Sequence, residues 1–468
     1  MYPILNNCLV RGCENDYFLQ HYLLGDEFKL EKLHAEILWH CNGKNNIEEL
    51  SNMFSQPRED IEYFLNILKK ENLIIFSNLS KKEKYPILTK TPYLQEIQIE
   101  GTGQCNLWCK HCYGREKFAE VANNELTYYE ICNAIDQIAE ANIGKCFLSG
   151  GEIFTRKELP EIIEYLAKRR IYISGIFTNA TIYRPEVFEA LKQTGMKTTF
   201  LVSLDGGNLE THDFIRGKNT FNKTILFIKR AIESGFHVTV NTVVMKQNVK
   251  SLLNMRQFLE SLGISRWRVS VPREQGEAII NKELIEPKWD DIFTAYKILL
   301  LHTLNNPNGM KIQLSSIFKT EFLETGKYFL YQKSSRCCEY KKGSLVLTAN
   351  GNFIPCPAGM DIVFGNIRKE NILDIWHKDK TQIFKNLPIS AIDECSNCEI
   401  WEYCGTGCRI IAKQIHNDFL AKDDNAYPLY NFFFNTIKPI LEEHGIKSQK
   451  LQEASKYQFE PNLINQFF

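Results

Sequence analysis

Short apolar runs and helical patterns alternate along the middle of the chain. Six segments have the composition of buried strands: LQEIQIEG, KCFLSGG, IYISGIFTN, TTFLVSLDG, HVTVNTVV and RWRVSVP. Between them, apolar residues at helical spacing predict helices over 128–141, 158–169, 186–193, 223–234 and 251–262. Such repetition is typical of a parallel α/β sheet, and the Gly, Ser, Asn and Asp residues after most strands place a site at that face. We therefore predict an α/β fold with a partial (β/α)6 TIM-like barrel over residues 92–285.

The first 80 residues have a different pattern. Strands are predicted at 17–24 and 27–30, helices at 31–41, 46–54 and 57–70, and a closing strand at 72–76. This order is typical of a winged-helix domain, which we assign to residues 1–80. The segment SNLSKKEKYPILTKTP is polar, rich in lysine and ends near two prolines, so it is a plausible linker.

The pattern changes again after residue 285. A helical bridge is predicted over 286–335, followed by a cysteine-rich region over 336–410. The remaining residues, 411–468, are rich in Phe, Tyr and Asn and are predicted to form a C-terminal helical tail.

The composition excludes several classes of protein. Hydrophobic residues make up 44% of the chain, which is enough for an ordinary globular core. Lys and Arg together number 56, as do Asp and Glu, so no net charge attracts the chain to nucleic acid or to an anionic membrane. The start of the chain lacks a basic segment followed by a long apolar run, and stretches such as 298–301 are too short to cross a bilayer. We expect a cytoplasmic protein with no membrane or nucleic-acid partner.

The chain contains 15 cysteines, and most of them are clustered. Three lie within 105–112 and seven within 337–408. A long chain without a secretory signal has no need of disulfides, so clustered cysteines favour metal or redox chemistry. Cys132 and Cys146 lie on an apolar helix and an apolar strand and are expected in the core.

The first cluster follows the first predicted strand. Cys105, Cys109 and Cys112 lie in GQCNLWCKHCYG, with three and then two residues between them. Three thiolates can bind three irons of a four-iron cube and leave the fourth iron open for another ligand. A zinc site with His111 as the fourth ligand is the alternative. The SGGE segment after the second predicted strand favours the cluster over zinc.

The CNLWCKHC segment resembles the cluster-binding motif of the radical S-adenosylmethionine (SAM) superfamily. The resemblance implies that a [4Fe-4S] cluster on the three cysteines cleaves SAM, that His111 packs near the adenine, and that Gly150, Gly151 and Glu152 contact the methionine amino group. It also implies that further positions line the cofactor: Asn179, Ser203, Asp205, His212, Arg216, Asn241 and 268–271. A strand-end turn or helix cap is the alternative for each of these positions.

The second group of cysteines resembles the SPASM extension of radical enzymes that modify peptides. Two adjacent cysteines precede Gly351, a third follows it after four residues, and four more come with two, five and three residues between them: Cys337, Cys338, Cys356, Cys395, Cys398, Cys404 and Cys408. The resemblance implies one auxiliary [4Fe-4S] cluster on Cys337 or Cys338 with Cys356 and Cys408. A second auxiliary cluster is implied on Cys395, Cys398 and Cys404. One or two structural zinc ions are the alternative.

The chain departs from the SPASM pattern at its end. The usual pattern has one more cysteine after Cys408, but the corresponding region reads DDNAYPLYN. The second auxiliary cluster therefore lacks a clear fourth thiolate. A substitute ligand is expected among four residues, unless one iron stays open or the cluster does not form: His416, Asp418, Asp423 and Asp424.

The N-terminal unit resembles the PqqD-like element that captures the leader of a precursor peptide, by adding it as a strand. A DNA-binding winged helix is the alternative, but 58–71 contains three basic and four acidic residues, which disfavours phosphate contacts. The resemblance implies a radical SAM oxidoreductase that installs a thioether or carbon-carbon crosslink in a ribosomally made peptide. Its electron donor would be of the flavodoxin or ferredoxin type. An anaerobic sulfatase-maturase-like enzyme and a non-enzymatic iron-sulfur regulator of nucleic acid are the alternatives.

Overall fold

The computed structural model describes residues 1–13, 16–80, 90–91, 94–338 and 343–451. Most of the linker predicted at 77–92, and residues 452–468 of the predicted tail, lie outside the described residues. In the part of the chain that the structure describes, no helix is both long enough and apolar enough to span a membrane.

The N-terminal segment combines short strands with three helices. Its described elements are β1 Tyr2–Leu5, β2 Cys8–Cys13, β3 Asp16–His21, β4 Glu27–Leu30, α1 Lys32–Trp39, α2 Ile47–Phe54, α3 Arg58–Lys70, β5 Ile74–Ser77 and β6 Lys90–Thr91. The strands form a four-stranded sheet of order β4-β3-β2-β6 and an antiparallel pair of β1 with β5. The three predicted helices and three predicted strands are present, and β1, β2 and β6 are additional.

Seven parallel strands form the body of the barrel: β7 Glu96–Thr102, β8 Lys145–Gly150, β9 Tyr172–Thr178, β10 Thr199–Ser203, β11 His237–Val243, β12 Arg266–Ser270 and β13 Lys311–Leu314. The helices between β7 and β12 are α4 Arg115–Ala122, α5 Tyr128–Glu140, α6 Leu159–Lys168, α7 Pro185–Thr194, α8 Leu209–Arg216, α9 Phe221–Glu233 and α10 Leu252–Ser261. All six predicted strands and five predicted helices are present, which confirms the α/β partial-barrel fold.

The segment 286–335 is not purely helical, contrary to the prediction. After the short helices α11 Glu277–Ile280 and α12 Lys282–Ile285, it contains α13 Trp289–Asn305, β13, β14 Phe318–Lys319, α14 Glu321–Thr325 and β15 Lys327–Leu330. Strand β13 pairs in parallel with β12 and extends the barrel to a seventh strand. Its sequence, KIQL, is too short a run for its periodicity to distinguish it from its surroundings.

The cysteine-rich region also joins the sheet. Its elements are β16 Ser344–Leu347, β17 Asn352–Ile354, β18 Gly365–Asn366, α15 Ile372–His377, α16 Asp379–Asn386, α17 Asp393–Ser396 and α18 Trp401–Cys404. The tail contains α19 Arg409–His416, α20 Ala426–Phe432, a π-helical turn at Phe433–Ile437, α21 Lys438–Glu443 and β19 Lys447–Lys450. Because β16 pairs in parallel with β7, one 11-stranded sheet joins this region to the barrel.

Apolar and polar residues alternate along strand β7, so its two faces differ in polarity. Ile97 and Ile99 are buried in the main hydrophobic core, whereas Gln98 and Glu100 alternate with them and face the opposite side of the sheet. Gln98 donates a hydrogen bond to Ser149 on β8 at 2.8 Å. The side of the sheet opposite the core is therefore polar along this strand.

The N-terminal sheet packs against the amino end of β8. Arg11 donates to the backbone oxygen of Asn142, and Gln20 Nε2 donates to Gly144 O at 3.0 Å. Glu27 on the edge strand β4 forms an ion pair with Lys145 at 2.9 Å. These contacts place the N-terminal sheet at the end of the barrel opposite the loops that follow the strands.

Candidate active site

The three cysteines of the first cluster lie in the loop between β7 and α4. Each of Cys105 and Cys109 is close enough to Cys112 for the charge of Cys112 to affect its pKa. Burial raises the pKa of all three thiols, to about 12 for Cys109, and Arg216 opposes this rise for Cys109 and Cys112. Such thiols need a bound cation to become thiolates, because a metal centre supplies the stabilising positive charge.

Hydrogen bonds fix this loop on several sides. Lys110 N donates to Ile215 O on α8 at 3.0 Å, and Cys112 O accepts from Glu277 N on α11 at 2.9 Å. The guanidinium of Arg115 lies 2.9 Å from the centre of the Trp108 ring. The loop is therefore held in place by the protein itself.

Two glycines after β8 allow the β7 and β8 loops to approach closely. A Cβ atom at Gly150 would lie 2.2 Å from Thr102 O, and one at Gly151 would lie 2.4 Å from Gln104 O. Gly150 also has a φ of +145°, which side chains rarely adopt. The glycines thus bring Glu152 directly behind the cysteine loop.

The carboxylate of Glu152 is buried and already has three donors. Its oxygens accept hydrogen bonds from Thr178 Oγ1 at 2.8 Å, Asn179 N at 2.6 Å and Phe154 N at 3.2 Å. Burial raises its pKa, and these donors oppose the rise. A carboxylate has about four acceptor positions, so one position is left for the ammonium group that the resemblance implies.

Asp205, Arg216 and His111 form a buried polar group beside the cysteine loop. Arg216 Nε donates to Asp205 at 2.6 Å, its Nη1 lies 3.9 Å from Cys109 Sγ, and its Nη2 lies 3.4 Å from His111 Nε2. Burial lowers the pKa of His111 to about 4. Nε2 thus lies between a donor, Arg216, and an acceptor, Asp205 Oδ2, which is 3.6 Å away. Nδ1 is buried without a partner among the described residues, so it is the ring nitrogen that can contact a bound cofactor.

Four polar residues form a row across adjacent strands. Ser203, Asn241, Arg268 and Gln313 are register partners on β10, β11, β12 and β13. The Nε of Arg268 is buried without a partner in the described part of the chain. The row gives the barrel sheet a line of donors and acceptors across four adjacent strands. Asn179 differs, because its side chain is bonded to Asn106 at 2.9 Å and to Thr181.

Sequence reasoning missed Glu100 in this site. It is 3% exposed, and burial raises its pKa to about 8. It is close enough to Tyr113, the residue after Cys112, to contribute to the raised pKa of that phenol. The alternation Ile97, Gln98, Ile99, Glu100 in β7 was the available signal, since a polar residue at an alternate position faces away from the apolar core.

The auxiliary cysteines fall into groups. Cys404 is close enough to Cys395 and Cys398 for both to raise its pKa. Cys356 has the same effect on Cys408. Cys337 lies near Cys338 and also near Cys395, which belongs to the second group. The assignment of these cysteines to two auxiliary clusters stays a prediction.

The donor set fits clusters better than zinc. In the described ranges, no three or more His, Cys, Asp or Glu side chains are arranged to hold a metal ion. The cysteines nevertheless cluster, and buried groups such as His111 Nδ1 and Arg268 Nε lack partners beside them. Such a site suits an iron-sulfur cluster with a bound cofactor, which is larger than a zinc ion and can contact both thiols and polar side chains.

Comparisons with known proteins agree with this geometry. The radical SAM superfamily model matches residues 99–259, and the SPASM iron-sulfur cluster-binding domain matches residues 337–399. An AdoMet-dependent heme synthase of Methanosarcina barkeri is 28% identical over 72% of this chain and 96% of its own length. The antilisterial bacteriocin subtilosin biosynthesis protein AlbA of Bacillus subtilis is 27% identical over 56% of this chain and 62% of its own length.

A solved structure extends the match to most of the chain. SuiB of Streptococcus suis, bound to its precursor peptide SuiA, covers 91% of this chain and 99% of its own, with a TM-score of 0.66 and 16% identity. At that identity the likeness establishes the fold. The chain therefore contains a radical SAM domain and a SPASM iron-sulfur cluster-binding domain, and it is an enzyme whose cofactors are SAM and [4Fe-4S] clusters.

Proposed function

We propose that this enzyme is a peptide maturase that installs a thioether or carbon-carbon crosslink in a ribosomally made precursor peptide. The observation that carries the proposal is the position of β4, which is an edge strand of the N-terminal sheet among the described residues, in a chain that also contains a radical SAM and a SPASM domain. AlbA takes part in bacteriocin biosynthesis by name, and SuiB binds a precursor peptide, which supports a peptide substrate.

The N-terminal unit, residues 1–80, is the proposed leader-binding element. An added peptide strand on β4 would gain backbone hydrogen bonds, and apolar side chains nearby would supply pockets. Phe28 on β4 is exposed, and α3 exposes Tyr63 at 71% and Ile67 at 44%. These side chains suit an apolar peptide, whereas the excess of one acidic residue over 58–71 disfavours DNA.

The residues around the cysteine loop are the proposed SAM site. Cys105, Cys109 and Cys112 would hold the cluster, and Glu152 and the backbone of the glycine turn would bind the amino group. Arg216, fixed by Asp205, would bind the methionine carboxylate, because a guanidinium suits a carboxylate. His111 Nδ1 would donate towards the adenine. Ser203 and Asn241, on neighbouring strands, would hold the ribose.

The chemistry follows from this arrangement. When bound, the cluster and SAM supply a 5'-deoxyadenosyl radical that takes one hydrogen atom from the peptide. The partner side chain then forms the new bond and loses a proton, and one electron leaves the peptide. The polar row and Glu100 are the proposed neighbours of the bound peptide, where a proton acceptor is needed. Overall, the peptide loses two hydrogen atoms.

The auxiliary clusters are the proposed acceptors of that electron. Cys356 and Cys408, with Cys337 or Cys338, would hold the first cluster, and Cys395, Cys398 and Cys404 would hold the second. A flavodoxin or ferredoxin would reduce the SAM-binding cluster. We place this oxygen-sensitive enzyme in the cytoplasm.

A heme-synthase-like activity is the second candidate, because that relative is matched over 96% of its own length. The match spans 72% of this chain, so more than a quarter of the chain has no counterpart there. A peptide-binding unit would account for such additional residues.

The experiment that separates the candidates is co-expression with the short peptide encoded beside the enzyme. Mass spectrometry is expected to show a peptide that has lost two hydrogen atoms. An unmodified peptide, together with conversion of an iron porphyrin by the anaerobic enzyme, would support the second candidate instead.

A further inference from the structure

The second auxiliary site is one thiol short, and the structure distinguishes the four residues that could replace it. Three of them are engaged at the surface. His416 and Asp424 bond to each other at 2.8 Å, and Lys422 lies 3.6 Å from Asp424. Asp418 accepts from Leu420 N at 2.8 Å and is exposed. These three residues are therefore engaged in contacts of the exposed turn after α19.

Asp423 is the exception, because it is only 7% exposed. Its Oδ2 accepts from Cys408 N at 2.7 Å, and its Oδ1 accepts from Asn425 N at 3.0 Å. A Cβ atom at Gly407, whose φ is +68°, would lie 2.6 Å from Asp423 Oδ2. A glycine at 407 therefore lets the carboxylate enter the cysteine-rich loop.

The carboxylate enters the loop between Cys404, a member of the second group, and Cys408. Its charge also raises the pKa of Cys395, Cys404 and Cys408, in addition to the effect of burial. The three thiols of the second group leave one ligand position of a four-iron cluster unfilled, and Asp423 is the buried acidic side chain on this loop.

Burying this carboxylate needs compensation. Its hydrogen bonds come from backbone N–H groups, and the nearest cation, Arg409, donates to the carbonyls of Thr406, Phe419 and Ala421 instead. Buried charges without a bonded ion pair are costly unless they bind a metal. An iron ion would supply the missing positive charge.

We propose that Asp423 is the fourth ligand of the second auxiliary cluster, beside Cys395, Cys398 and Cys404. The inference rests on the proposed assignment of these cysteines to a cluster. An oxygen ligand in place of sulfur changes the electronic properties of the iron that it binds, so this cluster differs from its neighbours in potential. Cys337 is the rival ligand, because it is buried near Cys395.

The test uses Asp423→Asn, which keeps the acceptor for Cys408 N but binds iron poorly, and Asp423→Cys, which restores a thiolate. Asp424→Asn is the matched control, and Cys337→Ser tests the rival. Iron and sulfide content and the electron paramagnetic resonance spectrum are measured after anaerobic reconstitution. Full-length wild-type protein is expected to hold about twelve irons, four per cluster.

The proposal predicts that Asp423→Asn loses about four irons, or the signal of one cluster. Asp423→Cys is expected to regain the iron with a shifted signal, and Asp424→Asn to match the wild type. A wild-type iron content and spectrum in Asp423→Asn would overturn the proposal, as would loss of the same signal only in Cys337→Ser. About eight irons in the wild type would instead show that the second auxiliary cluster does not form, which would overturn this proposal. The proposed peptide modification would still be tested separately by mass spectrometry.

Discussion

The guanidinium of Arg216 is held by the carboxylate of Asp205 at 2.6 Å, with both side chains buried beside the cysteine loop. Burial on its own would raise the pKa of Asp205, but Arg216 holds it below its usual value. The pair therefore stays charged and fixes the direction in which the remaining guanidinium nitrogens point.

Replacing Arg216 by Lys tests this geometry. Lysine keeps the charge but loses the planar fork of donors, so it cannot bind Asp205 and a carboxylate together. A lost hydrogen bond to a charged group costs about 1.5–3 kcal/mol, so the dissociation constant of SAM is expected to rise at least about tenfold. Equilibrium binding to the reconstituted enzyme measures this, with Arg230→Lys as the control. Unchanged SAM affinity would rule out the proposed role.

Replacing Cys105, Cys109 or Cys112 by Ala is expected to abolish 5'-deoxyadenosine formation, because each thiol is proposed to bind one iron. About four irons should be lost from each variant. Cys132→Ala, on α5 outside the loop, is the control and should retain both properties. Wild-type production of 5'-deoxyadenosine by any of the three variants would refute the assignment.

The glycines after β8 are expected to be intolerant of a side chain. Gly150→Ala places a Cβ atom 2.2 Å from a backbone oxygen, whereas at Gly235, with a φ of +85°, nothing lies within 4 Å. Gly235→Ala should cost only the strain of positive φ, about 1–2 kcal/mol. Gly150→Ala should cost about 1–3 kcal/mol more and reduce iron content, because the cysteine loop must shift. Denaturant unfolding and iron analysis compare the two; equal stabilities would contradict the packing argument.

Glu100 predicts a pH dependence of stability. Its folded pKa of about 8 lies above its ordinary value of 4.5, so between these values the folded protein keeps a proton that the unfolded chain loses. Stability therefore falls as pH rises through this window. Glu100→Gln removes the effect, and its advantage over wild type should grow by about 1 kcal/mol per pH unit. Denaturation midpoints from pH 5.5 to 8 measure it, with exposed Glu140→Gln as the control. A stability difference between variant and wild type that stays constant from pH 5.5 to 8 would show that the pKa of Glu100 is not raised in the folded protein.

The leader-binding proposal predicts a local effect of Tyr63→Ala combined with Ile67→Ala. Burial of such side chains by a ligand is worth about 1.5–3 kcal/mol each, so leader affinity should fall at least tenfold. SAM cleavage without peptide should not change, because α3 lies at the opposite end of the barrel. Ile298→Ala is the control, since Ile298 is 44% exposed like Ile67. Unchanged leader affinity in the double variant would show that the leader does not bind at Tyr63 and Ile67.

Local sequence signals predicted most of the barrel. The helix expected at 128–141 is α5, and its start is fixed by a capping box between Thr127 and Glu130. Helices α4 and α8 were missed because each has only eight residues and follows a motif loop. Strands β13 and β16 were missed because their place in the sheet depends on distant partners.

The residues of the candidate site also differ in how far the sequence predicts them. The cysteine motif and the glycine turn are continuous in sequence and were predicted. The burial of Glu100 and of Asp423 depends on what surrounds them in three dimensions. Asp423 and Asp424 are neighbours in sequence, and no local pattern shows that one faces the cysteines and the other His416.

The most direct test of the account is reaction of the anaerobic enzyme with its precursor peptide carrying deuterium on carbon. The account predicts that the peptide loses two hydrogen atoms, one of them deuterium from the crosslinked carbon, and that this deuterium appears in 5'-deoxyadenosine. Formation of 5'-deoxyadenosine without deuterium, together with a peptide of unchanged mass, would contradict it.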